Sequence, residues 1–255
     1  MAATPAEPIS AATLVLLRQA ADGGMPELLV VERSPAMAFA GGATVFPGGR
    51  VDPADLAFAL ELGAADPDDA AARIAAIRET IEETGVAIGL HPLPGPAPLA
   101  AIRAALATGM PFAQALAGSG STLDLSRLDA FARWRPAHSG MRIYDTRFYL
   151  ARWSRGAGEA TVDGTENVRL RWAAAATILA DADAGRATLI YPTRRTLERL
   201  ATYPDHDAAV ADARAFPIRT ITPTIQDRNG VAHLCIPDDL GYPVTAEPLE
   251  SVRRG

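Results

Sequence analysis

The stretch Arg78-Glu79-Thr80-Ile81-Glu82-Glu83-Thr84-Gly85-Val86 sets three carboxylates among aliphatic residues and closes on a glycine. At roughly 100° per residue, Glu79, Glu82 and Glu83 span an arc of about 100°, while Ile74, Ile77 and Ile81 fall on the opposite side. One face of such a helix is buried and the other holds three carboxylates. Like charges at i and i+4 repel by about a few tenths of a kcal/mol, and Arg78, four residues before Glu82, offers the nearby counter-charge on the helix. The rest of the acidic face calls for neutralisation from elsewhere. A hard divalent cation, Mg2+ or Mn2+, is the economical answer, because it takes oxygen ligands and shares its shell with substrate phosphates. Three glutamates alone read better as a solvated acidic surface, since such runs are common on surfaces.

Working outward, Asp66-Pro67-Asp68-Asp69 is a helix start: Asp66 can cap, Pro67 suits the first helical position, and the two carboxylates favour the positive end of the dipole. The helix is expected to run to Thr84, with Gly85 as its left-handed stop. Upstream, Ala12 to Leu17 and Glu27 to Arg33 read as a β-hairpin around Ala21-Asp22-Gly23-Gly24. Between hairpin and helix lies a glycine-punctuated stretch from Gly41 to Gly49 that carries the apolar Thr44-Val45-Phe46. Downstream, a proline-rich connector from Pro92 to Pro98 and Ala-rich segments up to Trp134 read as short helices, broken at Pro111 and at Gly118-Ser119-Gly120. Strands are expected at Ile143 to Trp153, Val168 to Trp172, Ile218 to Ile225 and Val231 to Ile236. Helices are expected near Ala173 to Ala182, Pro192 to Ala201 and Ala208 to Ala215. Strands, then a helix, then strands again make a mixed α/β sandwich.

Composition removes several function classes. All 24 positive side chains are arginine, so Schiff-base chemistry and a Walker-type phosphate lysine are excluded. A formal charge of −6 argues against a general nucleic-acid binder. Cys235 is the lone cysteine, which excludes an intrachain disulfide and a cysteine-based zinc site and fits a reducing cytoplasm. The opening residues lack an export-signal pattern, and no apolar run reaches the ~18 residues that span a bilayer. The expectation is a cytoplasmic protein with no membrane partner.

With these residues in view, the chain resembles the Nudix hydrolases, whose box reads G-x5-E-x7-R-E-U-x-E-E-x-G-U with U aliphatic. Gly49 and Arg78 to Val86 fill the pattern, with Thr80 at one aliphatic position. Asp55 stands where the first glutamate is expected, and 22 residues (56 to 77) replace the usual seven. That insertion, together with Leu28 to Ser34, Val45 to Asp52, Arg142 to Leu150 and Glu166 to Trp172, is similar to the branch of coenzyme A diphosphatases typified by nudix motif nineteen.

The resemblance implies one Nudix-type α/β/α sandwich over residues 1–255, with a loop insertion near 56–72 and a helical insertion near 92–136. It implies a metal-dependent attack of water on a diphosphate joining a nucleoside monophosphate to another group, with coenzyme A or an acyl derivative as the best single substrate. NADH, ADP-ribose or another nucleotide is the nearest rival, and a Nudix-fold module that binds nucleotides without cleaving them is the second class. Residue by residue, Glu79, Glu82, Glu83, the Gly49 carbonyl and Glu166 would hold Mg2+ or Mn2+, one glutamate doubling as base. Arg78 would orient the glutamates. Arg33, Arg50, Arg142 and Arg147 are candidates for holding substrate phosphates bidentately. The expected partner is a small nucleotide conjugate, with a homodimer as the candidate assembly.

Overall fold

The computed structural model describes residues 7–37, 40–136 and 143–252. In chain order the strands are β1 (Ile9–Arg18), β2 (Glu27–Arg33), β3 (Thr44–Val45), β4 (Gly48–Arg50), β5 (Leu90–His91), β6 (Thr122–Leu123), β7 (Asp129–Trp134), β8 (Tyr144–Arg152), β9 (Asn167–Ala174), β10 (Thr220–Ile221), β11 (Thr224–Arg228), β12 (Val231–Cys235) and β13 (Ala246–Pro248). The helices are α1 (Pro53–Glu61), α2 (Pro67–Thr84), α3 (Pro96–Ala107), α4 (Phe112–Leu116), α5 (Ala175–Asp183), α6 (Tyr191–Leu200), α7 (His206–Ala215) and α8 (Leu249–Val252). Among the described residues no helix is long and apolar enough to cross a membrane.

The central sheet runs β10-β7-β8-β1-β2-β3, with β4 also pairing β1 and β9 also pairing β2. It is mixed: β1 lies parallel to β8 and antiparallel to β2 and β4. Strand β1 is apolar on both faces because both are covered. Ala12, Leu14 and Leu16 join Tyr149 and Ala151 in the core under α2, whereas Val15 and Leu17 join Leu150 and Phe148 in the core under α5, α6 and α7. Two helical layers thus enclose one sheet, the α/β/α sandwich expected.

Helix α2 begins and ends as expected. The Asp66 carboxylate accepts the Asp69 backbone N–H at 3.0 Å, and Gly85, at φ +69°, returns its N–H to the Ile81 carbonyl at 2.8 Å. Thr80 sits at 0% exposure because its hydroxyl donates to the Ala76 carbonyl four residues back, at 2.7 Å. A threonine thereby occupies a buried position that the aliphatic pattern assigns to a hydrocarbon.

Three expectations are corrected. Residues 56–72 are not mainly a loop: α1 and the opening of α2 occupy most of them, and α1 packs on α2. Asp129–Trp134 is strand β7, not a helix. Its Phe131 and Trp134 are buried, and pairing with β8 outweighs the helix propensity of its alanines. The single strand expected from Ile218 to Ile225 is two, β10 on the central sheet and β11 on a separate three-stranded sheet, parted by Pro223, which cannot donate to a ladder.

Two substitutions test this account of α2. Asp66→Ala should destabilise the protein by ~1 kcal/mol through loss of the cap. Gly85→Ala should cost about 1–2 kcal/mol from left-handed strain, since its Cβ would also meet Arg103 Nη1 at 2.9 Å. Urea unfolding reads both.

Candidate active site

Glu79 and Glu83 of α2 face the turn that carries Gly48 and Gly49, and Glu82 lies beside Arg78 on the same helix. Strand β4 lies against β1, with Gly49 opposite Ala12 and Gly48 opposite Thr13. A Cβ on Gly49 would stand 2.4 Å from the Glu79 carboxylate carbon, and one on Gly48 would stand 2.3 Å from the Ala12 carbonyl oxygen. Only glycine lets the helix and turn approach this closely. The Gly48 N–H donates to Glu83 Oε2 at 3.1 Å.

Arg78 organises the group. Its Nε and Nη2 donate to the two oxygens of Asp55 at 3.1 and 2.9 Å, Nη2 also to the Arg50 carbonyl at 2.9 Å, and Nη1 to Glu79 Oε1 at 2.8 Å. Asp52 and Glu82 lie at 3.6 and 3.7 Å from the same guanidinium. Asp55 is 1% exposed and also accepts the Asp52 backbone N–H at 2.9 Å. Burial works against the Arg78 charge, but its hydrogen bonds to Asp55 and the surrounding carboxylates hold its pKa above the usual guanidinium range. The first turn of α1 therefore serves the site. By starting at Pro53 it carries the shorter Asp55 to Arg78 and closes a bidentate pair.

Burial pushes Glu79 up to about 7, with Arg78 opposing and Glu82 reinforcing the shift. Glu83, 4% exposed, is pushed up to about 8 by burial and by the charge of Glu79. Glu82, more open, is raised in the same direction by burial. Glu166 lies on the segment leading into β9, 3.7 Å from Arg33, and its charge raises both Glu79 and Glu82. The structure thus gathers Glu79, Glu82, Glu83, Gly49, Arg78, Arg33 and Glu166.

Other expected site residues fall differently. Arg50 is exposed next to Gly49 and contributes its backbone carbonyl to Arg78. Arg147 reaches the Asp68 carbonyl at 3.5 Å, at the start of α2 and ~16 Å along the helix axis from Glu79. Arg142 lies outside the described residues.

Two residues not singled out from sequence bear on the site. Arg103, from α3, donates from Nε to the Glu82 carbonyl at 3.0 Å and from Nη2 to the Glu83 carbonyl at 3.2 Å, and it grips Thr161 through Nη1 and Nη2. It satisfies the orphan carbonyls at the negative end of α2 and ties that end to the segment preceding Glu166. Asp163 anchors that segment by accepting the backbone N–H groups of Thr165, Glu166 and Asn167 at 3.1, 2.7 and 3.1 Å. Neither residue carries a sequence signal, because their partners lie outside any local pattern.

The donor set suits a divalent cation. Its side chains are all oxygen ligands, as Mg2+ and Mn2+ prefer, and two of the three glutamates are buried enough that ionising them together calls for a compensating charge. Among the described residues no three His, Cys, Asp or Glu side chains already enclose a single point. The fit is one of donor type, charge and shared helix face, and Arg78 Nη1 lies between Glu79 and Glu82.

No protein-family model matches this chain, and no curated protein matches it. Among solved structures, it is similar to a NUDIX hydrolase from Alicyclobacillus acidocaldarius, with 30% identity, a TM-score of 0.69, and coverage of 80% of this chain and 96% of that one. Looser likenesses are to the MutT protein from Methanosarcina mazei Go1 (16% identity, 77% of this chain and 96% of that one, TM-score 0.44) and to a MutT NUDIX hydrolase from Burkholderia pseudomallei (19% identity, 76% and 98%, TM-score 0.43). With the acidic helix face, the glycine turn and the clamped arginine in their places, and with 30% identity across nearly the whole of the Alicyclobacillus enzyme, the chain belongs to the Nudix hydrolase family.

Proposed function

We propose that this protein is a divalent-metal-dependent diphosphatase acting on a nucleoside diphosphate linked to a second group, with coenzyme A or an acyl-coenzyme A as the best single substrate. The observation that carries the reading is the convergence of Glu79 and Glu83 on the Gly48–Gly49 turn, with Glu82 beside them at Arg78 and Arg78 locked in place by Asp55. The coenzyme A branch is suggested by the resemblance of Leu28 to Ser34 and Val45 to Asp52, together with the insertion inside the box.

Glu79, Glu82 and Glu83, with the Gly49 carbonyl and Glu166, would hold Mg2+ or Mn2+. When bound, such ions lower the pKa of water and neutralise charge on non-bridging phosphate oxygens. The chain's own residues do the rest. Asp55 and the Arg50 carbonyl fix Arg78, and Arg78 fixes Glu79. The Gly48 N–H fixes one oxygen of Glu83. A glutamate whose carboxyl titrates near neutrality is suited to take a proton from the attacking water. Arg33 and Arg50 flank the cluster and would receive the substrate phosphates. Arg147, at the far end of α2, is not assigned to them.

A panel of coenzyme A, acetyl-coenzyme A, ADP-ribose and NADH, each with Mg2+ or Mn2+ and with product masses recorded, tests the reading. Release of adenosine 3′,5′-bisphosphate from coenzyme A is the expected result. A ligand bound equally by the native protein and by Glu83→Gln, and cleaved by neither, would favour a binding module. In the active case Glu83→Gln should lower kcat by ~100-fold or more while the fold persists by circular dichroism. Asp55→Ala leaves Arg78 buried without its main partner, so it should cost about 3 kcal/mol of stability, measured by chemical denaturation, as well as activity.

A further inference from the structure

We propose that Asn167 is a positioning residue for Glu83: its buried side-chain amide holds that carboxylate in the orientation a divalent ion needs. The inference rests on the metal-dependent reading above and adds to it a residue outside the box.

Asn167 opens β9 at 0% exposure, and neither Nδ2 nor Oδ1 closes a hydrogen bond. A buried amide that closes no well-formed hydrogen bond is costly, so a polar residue here needs a reason. It does not serve the backbone of its own loop, because Asp163 already accepts the N–H groups of Thr165, Glu166 and Asn167, and Ser34 N–H donates to the Glu166 carbonyl at 2.7 Å. The loop is pinned, and with it the root of the Asn167 side chain. Across the sheet Asn167 pairs with Arg33, at a register shift between Glu32 and Arg33.

The group it faces is Glu83. Burial and Glu79 raise that carboxyl, and the Asn167 amide lowers it in part, as a donor beside a carboxylate does. One Glu83 oxygen is taken by the Gly48 N–H. Carboxylates that ligate metals are themselves held by hydrogen bonds, and those outer partners set ligand orientation. The Asn167 amide is buried, lies close enough to Glu83 to act on its carboxylate, closes no well-formed bond elsewhere, and so is placed to do this. It would act through Glu83 and touch neither ion nor substrate.

The test is the affinity for Mn2+ alone, read from free Mn2+ by electron paramagnetic resonance, on the full chain. Asn167→Ala and the near-isosteric Asn167→Leu should each weaken Mn2+ binding by ~10-fold or more, lower kcat more than they change KM, and leave the metal-free Tm unchanged or higher. Asn167→Ser, which keeps a donor hydroxyl, should recover part of the affinity. Glu83→Gln serves as the reference. Native Mn2+ affinity in the Ala and Leu variants, with affinity lost in Glu83→Gln, overturns the role of Asn167 and leaves the metal reading standing. A lower metal-free Tm at native Mn2+ affinity would assign the amide a purely structural task, with the same consequence. Native affinity in Glu83→Gln itself would overturn the metal reading and this inference together.

Discussion

Burial of one guanidinium sets the terms for the whole site. Arg78 is 8% exposed on a helix whose other side is packed against β1, and it can stay charged there because Asp55, itself 1% exposed, accepts two of its N–H groups. Either ion alone would be untenable at that depth. The pair in turn fixes the local charge balance. Arg78 is matched by Asp55 and Arg33 by Glu166, which leaves Glu79, Glu82 and Glu83 without a full complement of positive charge. Their raised pKa values express the same fact: carboxylates gathered on a face half sunk in a protein hold their protons more tightly than carboxylates in water.

Helix α1, which runs on into the insertion, meets this constraint. An aspartate is one methylene shorter than a glutamate, so a chain with Asp55 at the partner position must bring its backbone closer to Arg78. Helix α1 does so. Its first turn presents Asp55 inward, where it also accepts the Asp52 backbone N–H, and Ala59, one turn later, packs at 0% exposure in the same core as α2. Phe58 then meets Phe112 of α4 edge to face, with ring centroids 6.5 Å apart, so the insertion and the segment after the box support each other. The short carboxylate and the long insertion are two halves of one arrangement.

The parts of this protein that were legible in its sequence are those whose signals are local. The cap at Asp66, the stop at Gly85 and the spacing of Ile74, Ile77 and Ile81 against Glu79, Glu82 and Glu83 lie within one helix, and α2 follows them residue by residue. The β1–β2 hairpin and the glycine turn were readable for the same reason. Strand β7 was not, since its alanines favour helix and only the pairing with β8 decides otherwise. Arg103 and Asn167 were out of reach. One caps α2 from the next helix, and the other lies beside Glu83 only because β9 pairs with β2. For Asn167 the only hint was its place directly after Glu166.

A chain without lysine shows what the guanidinium contributes to such a scaffold. Arg78 engages Asp55 through two nitrogens and Glu79 through the third. Arg103 spans two helix carbonyls and Thr161 at once. On the opposite side of the sheet, Arg199 is 2% exposed, lies over the Phe131 ring at 4.3 Å, and is held by Asp212 and Tyr203. In each case a flat, always-charged fork joins partners from different elements, a task that a single ammonium point charge cannot match. The same property orders the acidic face of α2. Because Arg78 cannot lose its proton in the range where Glu79 and Glu83 titrate, the charged clamp behind the glutamates persists while their own charge changes.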